Sequence, residues 1–291
     1  MSVIKQLTDK NIASPPPWLP LNTMYETYTG SLSYGIQSDG SDYDLCGFCI
    51  PPKDMVFPHL AGEIQGFGRQ VKRFDQYQQH HHLVDEGKVW DITIYSIVKY
   101  FQLVMENNPN MIDSLFTARK YVACSTTIGE MVREKRKMFL HKGAWFKFRG
   151  YAFSQLHKIK TKEPIGKRKA LVDEYGYDVK FAYHVVRLLL EIEQILVEGD
   201  LDLERNSEIL KSIRRGDWTQ ERLEIWFEGK EASLEQQYID STLPWGPPED
   251  EIRELLLNCL EHHYGSLAKV IQMEDRYVGA VNEIREIVNR L

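Results

Sequence analysis

The sequence predicts an α+β fold, with a small sheet in an N-terminal domain of residues 1–122 and a mainly helical C-terminal domain of residues 123–291. Apolar and polar residues alternate with the two-residue period of a β-strand at 42–50 and again at 89–94. Beyond about residue 125, apolar residues recur at the three- and four-residue spacing of helices. With 291 residues, 43% of them hydrophobic, the chain is long enough to bury a core and to form two domains.

The first predicted strand ends in a turn suited to phosphate. Met24 to Tyr28, rich in aromatic residues and threonine, favour a strand that ends at Gly30. Gly30 lets the backbone approach a ligand closely, and Ser31 is predicted to cap a short helix whose amide groups face an anion.

The second predicted strand, from Asp42 to Ile50, carries a pair of carboxylates. Strand geometry puts Asp42 and Asp44 on one face, while Tyr43 and Leu45 point into the opposite layer. Two carboxylates on one face can share a divalent ion such as Mg²⁺, which keeps coordination positions open for substrate phosphates. The local spacing alone also fits a turn with solvated carboxylates.

The next segment is predicted to be a loop-rich insertion that runs to about Gly87. It is rich in Gly and Gln, and its histidine run, His80–His82, is expected to lie in a solvated loop rather than a metal cluster. Cys46 and Cys49 form a CxxC, but a strand would point them to opposite faces, so no zinc site is expected.

A third carboxylate is predicted at Asp91. Residues 89, 91 and 93 alternate with Trp90, Ile92 and Ile94, so the apolar set can be buried while Asp91 faces the cleft of the Asp pair. The alternative is that Asp91 caps a helix. Other candidate carboxylates are Glu63, Asp75 and Glu86.

Helices account for the rest of the chain. Apolar spacing predicts a helix over 95–105, stopped by Asn107–Pro109, and another over 111–116. A long helix carries an apolar stripe from Val179 to Ile195, and further helices are expected at 251–264 and 276–291. On the long helix, three cationic residues share one face: Lys180, His184 and Arg187.

Charge is unevenly distributed around the net value of −6. Residues 131–180 contain 14 Lys or Arg against 5 Asp or Glu, whereas residues 191–291 contain 11 against 23. The basic segment also carries aromatic residues, a mixture that suits nucleic-acid phosphates and stacked bases but also fits an ordinary solvated helix. No apolar run reaches the roughly 20 residues of a membrane span and no signal peptide is seen, so a soluble cytoplasmic protein is expected.

These motifs resemble known nucleotidyltransferases. Gly30, Ser31, Asp42 and Asp44 resemble the superfamily related to DNA polymerase β. Within it, three longer runs over roughly residues 22–220 resemble the RNA-ligase-associated, RlaP-type family: residues 30–44, 91–110 and 175–189. The resemblance implies a polymerase β-like domain with a small mixed sheet, followed by the helical domain.

The resemblance also implies a chemistry: metal-dependent transfer of a nucleoside monophosphate from a nucleoside triphosphate, ATP among them, to an acceptor hydroxyl. Asp42 and Asp44 would hold two Mg²⁺ ions, or Mn²⁺ in their place, and Asp91 would hold the ion at the acceptor hydroxyl. The residues expected to bind nucleotide are Gly30, Ser31, Ser41, Lys180, His184 and Arg187.

RNA is the first choice of acceptor, because the resembled family is associated with RNA ligases. A protein or small-molecule hydroxyl is the alternative, and a nucleotide-binding protein without turnover is the hypothesis from another class. For the three cationic residues, the alternative to nucleotide binding is a structural role in which Asp178 or Glu191 pairs with them. The sequence predicts no membrane partner and no particular oligomeric state.

Overall fold

The computed structural model describes residues 2–38, 41–57, 66, 68, 72–85 and 87–265. Within them the chain has the predicted mixed fold, a small sheet accompanied by many helices. The strands are β1 (Thr23–Thr29), β2 (Tyr43–Cys49), β3 (Gln76–Asp85), β4 (Lys88–Ser96) and β5 (Val122–Ser125). The helices are α1 (Val3–Asp9), α2 (Lys53–Val56), α3 (Ile97–Met105), α4 (Pro109–Phe116), α5 (Thr127–Glu134), α6 (Ala144–Thr161), α7 (Lys167–Tyr175), α8 (Val179–Glu198), α9 (Ser207–Arg214), α10 (Gln220–Asp240) and α11 (Glu249–Tyr264).

The described strands form one mixed sheet in the order β3-β4-β2-β1-β5. β2 and β4 are parallel, whereas each other neighbouring pair is antiparallel. The parallel register places Asp44 directly opposite Asp91. Two carboxylates that lie 47 positions apart in the printed sequence are therefore neighbours on adjacent strands.

The sheet separates two apolar layers, as the alternation in the sequence predicts. The smaller layer packs against α1 and contains Leu45, Cys49, Trp90, Ile92 and Ile94. On the other face, Cys46 and Phe48 join a larger core shared with the helices. Asp44 and Asp91 alternate with the residues of the small layer, so they lie on the helix-covered face. The predicted separation of Asp44 from Leu45 is confirmed, whereas Asp42, predicted to begin the strand, lies just before β2.

The prediction of a loop as far as Gly87 is wrong for residues 76–85, which form β3 at the edge of the sheet. Its Gln- and His-rich composition hides the strand, because an edge strand with polar side chains lacks the apolar alternation of a buried one. The backbone of His80–His82 belongs to this strand. Glu63 and Glu86 lie outside the described residues, and Asp75 immediately precedes β3.

Two predicted helix starts are corrected. The helix expected from residue 95 begins at Ile97, and Ser96 caps it by accepting a hydrogen bond from the Lys99 amide at 3.1 Å. Asp91 is therefore a mid-strand residue and not a helix cap. The expected helix after Ser31 is a series of turns, in which the Ile36 amide donates to the Ser31 carbonyl at 3.0 Å.

The helical half packs around α8, which contacts α6, α9 and α10. The helix predicted at 251–264 is present as α11, whereas the one predicted at 276–291 lies outside the described residues. The predicted domain boundary after residue 122 falls within β5, which pairs with β1. The division into two domains stays a prediction. Among the described helices, none has the length and apolar character to cross a bilayer.

Candidate active site

The three predicted carboxylates lie together in one cleft. Asp42, Asp44 and Asp91 all line a cavity of about 330 Å³, into which residues of α7, α8 and α9 also project. We call this cavity the serine chamber, because Ser31, Ser38 and Ser41 line it as well. Asp75, by contrast, lines a separate cavity near Trp18 and is not part of the cleft.

The carboxylates repel one another. The pKa of Asp44 is raised to about 6, mainly by burial and also by the neighbouring Asp91 and Asp42, while Lys180 opposes the shift. Carboxylate oxygens are the ligands that hard divalent cations prefer, so these three aspartates are chemically suited to bind Mg²⁺ or Mn²⁺. Over the described part of the chain, no group of three or more His, Cys, Asp or Glu side chains already has the arrangement of a metal site.

Gly30 is required where it stands. Its φ of +66° lies in the left-handed region that favours glycine, and a Cβ atom built on it would overlap the Oδ2 atom of Asp44. A glycine at this turn therefore leaves room for the Asp44 carboxylate in the cleft.

We expect Gly30→Ala to lower catalytic turnover at least about 100-fold, because displacing a reacting group by about 1 Å costs on this scale. Gly35→Ala is the matched control. Gly35 has the same φ of +66°, but its added Cβ would make only ordinary van der Waals contacts, with Glu204 at 3.4 Å and Ser207 at 3.5 Å. Steady-state kinetics of the two variants separate the carboxylate overlap from backbone strain, and equal losses would contradict the predicted role of Gly30.

The serine chamber combines hydroxyl groups with cations. Ser38 and Ser41 are joined by a hydrogen bond from the Ser38 amide to the Ser41 Oγ at 3.1 Å. Lys180 lines the chamber and is exposed. Arg214 reaches it from α9, donating hydrogen bonds to the Ile36 carbonyl and, at 3.2 Å, to the Ser38 Oγ. Arg214 is not among the residues predicted from the sequence, because no local pattern links α9 to the turn that follows β1.

A second cavity, of about 340 Å³, adjoins the serine chamber and shares Gly30, Asp44, Asp91 and His184 with it. We call it the tyrosine chamber, because Tyr34 and Tyr95 line it. Its lining is otherwise neutral apart from the buried Arg187. The remaining lining residues are Thr29, Leu45, Cys46, Gln78, Thr93, Asn110 and Met111. Asp44 and Asp91 thus lie where the serine chamber, which contains Lys180 and Arg214, adjoins the tyrosine chamber.

His184 stands between the two chambers as a neutral imidazole. Burial lowers its pKa well below the ordinary value, and the nearby Arg187 and Lys180 lower it further. Its buried Nδ1 atom has no hydrogen-bond partner among the described residues. An uncharged ring with an unpartnered nitrogen is able to hydrogen-bond a ligand in either chamber.

Arg187 forms buried ion pairs, as expected if its role is structural. Only 3% of its side chain is exposed, and its guanidinium donates to Asp113 and, at 3.0 Å, to both carboxylate oxygens of Glu191. Tyr34 donates a further hydrogen bond of 2.6 Å to Asp113. This buried network ties α4, α8 and the turn after β1 together beneath the tyrosine chamber. A direct nucleotide contact by Arg187 stays a prediction.

Comparison with known proteins gives a match to a family model and distant matches to solved structures. Residues 5–265 match the model of the RNA repair pathway DNA polymerase beta family, RlaP. A crystal structure of a nucleotidyltransferase-like protein from Exiguobacterium sibiricum 255-15 has 9% sequence identity and a TM-score of 0.29, covering 80% of this chain and 73% of that chain. No curated protein matches the chain.

Proposed function

The chain belongs to the RNA repair pathway DNA polymerase beta family, and on that premise we propose that it is a metal-dependent nucleotidyltransferase that acts on RNA. It would transfer a nucleoside monophosphate from a nucleoside triphosphate to an acceptor hydroxyl. The observation that carries the proposal is the convergence of Asp42, Asp44 and Asp91 beside the Gly30 turn. Three carboxylates that converge in one cleft suit metal-assisted phosphoryl chemistry.

The serine chamber is the side that we assign to the triphosphate. The hydroxyl groups of Ser31 and Ser41 can donate hydrogen bonds to phosphate oxygens, and Gly30 allows the backbone to approach them. Lys180 and Arg214 supply positive charge in the same chamber. As pyrophosphate leaves, these two cations would stabilise the negative charge that develops on it.

Asp42, Asp44 and Asp91 would hold the divalent ions, two Mg²⁺ or Mn²⁺ in their place. When bound, such ions neutralise phosphate charge and lower the pKa of an attacking hydroxyl. Asp91 lines both chambers, which supports its assignment as the carboxylate that would orient an acceptor hydroxyl and receive its proton.

The tyrosine chamber is the side that we assign to the end of the acceptor. Its neutral hydroxyl and amide groups, among them Thr93 and Asn110, suit a nucleoside better than a phosphate. The buried, unpartnered Nδ1 atom of His184 is available to hydrogen-bond the acceptor or the incoming nucleotide. The acceptor hydroxyl would then attack the α-phosphorus in line, with the O–P bond forming as the bond to pyrophosphate breaks.

RNA is our proposed acceptor because the description of the family refers to an RNA repair pathway and because residues 131–180 are strongly basic. The test is to incubate the full-length protein with Mg²⁺ and each α-labelled nucleoside triphosphate, with total RNA or with protein extract. We expect label in RNA, lost on addition of a chelator. Label in protein would instead favour a protein hydroxyl as acceptor, and absence of label with every acceptor would contradict catalysis.

A further inference from the structure

Three cationic side chains surround one aromatic ring at the edge of the serine chamber. The Lys158 and Lys162 ammonium groups lie 6.0 and 5.6 Å from the centroid of Phe181, and the Arg168 guanidinium lies 3.9 Å from it. They come from the end of α6 and the start of α7, and Phe181 is in the first turn of α8. We call Lys158, Lys162 and Arg168 the cationic ridge.

The ridge carries uncompensated positive charge. Arg168 is paired with Asp178 at 2.8 Å, but neither Lys158 nor Lys162 forms an ion pair with any residue that the structure describes. Other lysines of α6 do have acidic partners. Lys160 pairs with Glu224 at 3.0 Å, and Lys147 pairs with Glu106 at 3.4 Å. Holding unpaired like charges together is unfavourable, and a bound polyanion relieves that repulsion.

The ridge is continuous with the cleft. Leu171, one helical turn after Arg168 on α7, lines the serine chamber, and so does Lys180, which precedes Phe181. The positive charge of Arg168 reaches into the cleft, where burial lowers the pKa of His184 and Arg168 is among the cations that lower it further. The serine chamber and the tyrosine chamber share Gly30, Asp44, Asp91 and His184. An acceptor whose end lies in the tyrosine chamber would therefore meet the ridge where its backbone passes along the serine chamber.

The side chains of the ridge are suited to contact phosphates rather than bases. Phe181 is only 5% exposed, so its ring is covered and does not offer a face on which a base can stack. Lysine ammonium groups bind phosphates as point charges and carry no base-reading geometry. The serine chamber already has its own cations for a triphosphate, Lys180 and Arg214.

We infer that the cationic ridge binds the phosphodiester backbone of the RNA acceptor, without preference for base sequence. This inference rests on the proposed function and adds to it the surface that holds the acceptor outside the cleft. It accounts for two lysines, Lys158 near the end of α6 and Lys162 directly after it, that lack acidic partners among the described residues, whereas Lys147 and Lys160 of α6 have them.

The experiment compares two double variants of the full-length protein. Lys158→Ala with Lys162→Ala removes the ridge lysines, and Lys147→Ala with Lys160→Ala removes two paired lysines of the same helix. Both variants lose two positive charges, so any effect of net charge alone is the same. The dissociation constant for a labelled RNA hairpin with a single-stranded 3′ end is measured by fluorescence anisotropy across a salt series, and that for a non-hydrolysable nucleoside triphosphate by calorimetry.

We expect the ridge variant to bind RNA about 10-fold more weakly at low salt. Its salt dependence, the slope of log K against log salt, is expected to fall by about 1.4, since each lost phosphate contact to a single strand removes about 0.7. The paired-lysine variant is expected to stay within about 2-fold of wild type, because exposed ion pairs contribute little to binding or folding. Triphosphate affinity is expected to be unchanged in both.

Equal RNA affinities in the two variants would overturn the inference. A weaker triphosphate affinity in the ridge variant, with RNA binding intact, would also overturn it and would assign the ridge to the nucleotide. A wild-type protein that binds no RNA would overturn both the ridge and the RNA acceptor. Transfer of label to protein in the assay of the proposed function would then still identify a nucleotidyltransferase, so the two failures are distinguishable.

Discussion

Replacing Asp44 with Asn is expected to abolish nucleotidyl transfer, with a loss of at least about 1000-fold in turnover. Asp44 lines both chambers and is the cross-strand neighbour of Asp91, so its carboxylate is shared by every step that we propose. Asn keeps the size of the side chain but removes the charge that holds a divalent ion. Single-turnover transfer of α-labelled nucleotide to RNA measures the effect, and Asp42→Asn and Asp91→Asn are expected to behave alike.

The control for this substitution is Asp75→Asn. Asp75 is an exposed carboxylate at the start of β3 and lines a different cavity, so its variant should retain wild-type transfer. Transfer by Asp44→Asn above about a tenth of the wild-type rate would contradict the proposed mechanism. Loss of transfer in Asp75→Asn would show that the cleft had been misassigned.

The same Asp44→Asn variant should be the more stable protein when metal is removed. The pKa of Asp44 rises from 3.8 to about 6 on folding, so between these values the folded state keeps a proton that the unfolded chain has lost. The contribution of Asp44 to stability therefore falls as pH rises from about 4 to about 6, by up to about 3 kcal/mol. Urea unfolding in a chelator should favour the Asn variant at pH 7.5 and show no difference near pH 4.

Replacing Arg187 with Met is expected to lower the free energy of unfolding by about 3–5 kcal/mol, the usual cost of leaving a buried charge unpaired. Arg187 is the cation that faces both Asp113 and Glu191, and all three side chains are at most 4% exposed. Met has a similar length, so the loss of charge and of its hydrogen bonds is the main change. Urea denaturation at neutral pH measures the effect.

Arg205→Met is the matched control, because Arg205 pairs with Glu198 at the surface and its loss should cost less than about 1 kcal/mol. Adding Glu191→Gln to Arg187→Met should recover part of the lost stability, since it removes one of the unpaired carboxylates. A stable Arg187→Met variant with a raised KM for the nucleoside triphosphate would instead make Arg187 a direct nucleotide ligand, as the sequence predicts.

The sequence determined the features that depend on neighbours along the chain. The two-residue alternation around Asp44 and Asp91 fixes which side chains enter the small apolar layer and which face the cleft. The 3.6-residue period of α8 fixes that Lys180, His184 and Arg187 share a face. The motifs were also enough to identify the family, because its residues keep their order along the chain.

The tertiary structure decided which of these residues meet and in what charge state. The parallel pairing of β2 with β4 brings Asp91 opposite Asp44, and packing of α9 brings Arg214 to the serine chamber. Arg187 looks like a free cation in the sequence, but folding buries it beside Asp113. Local periodicity specifies the face on which a side chain lies, whereas its partner and its pKa depend on elements distant in sequence that pack against that face.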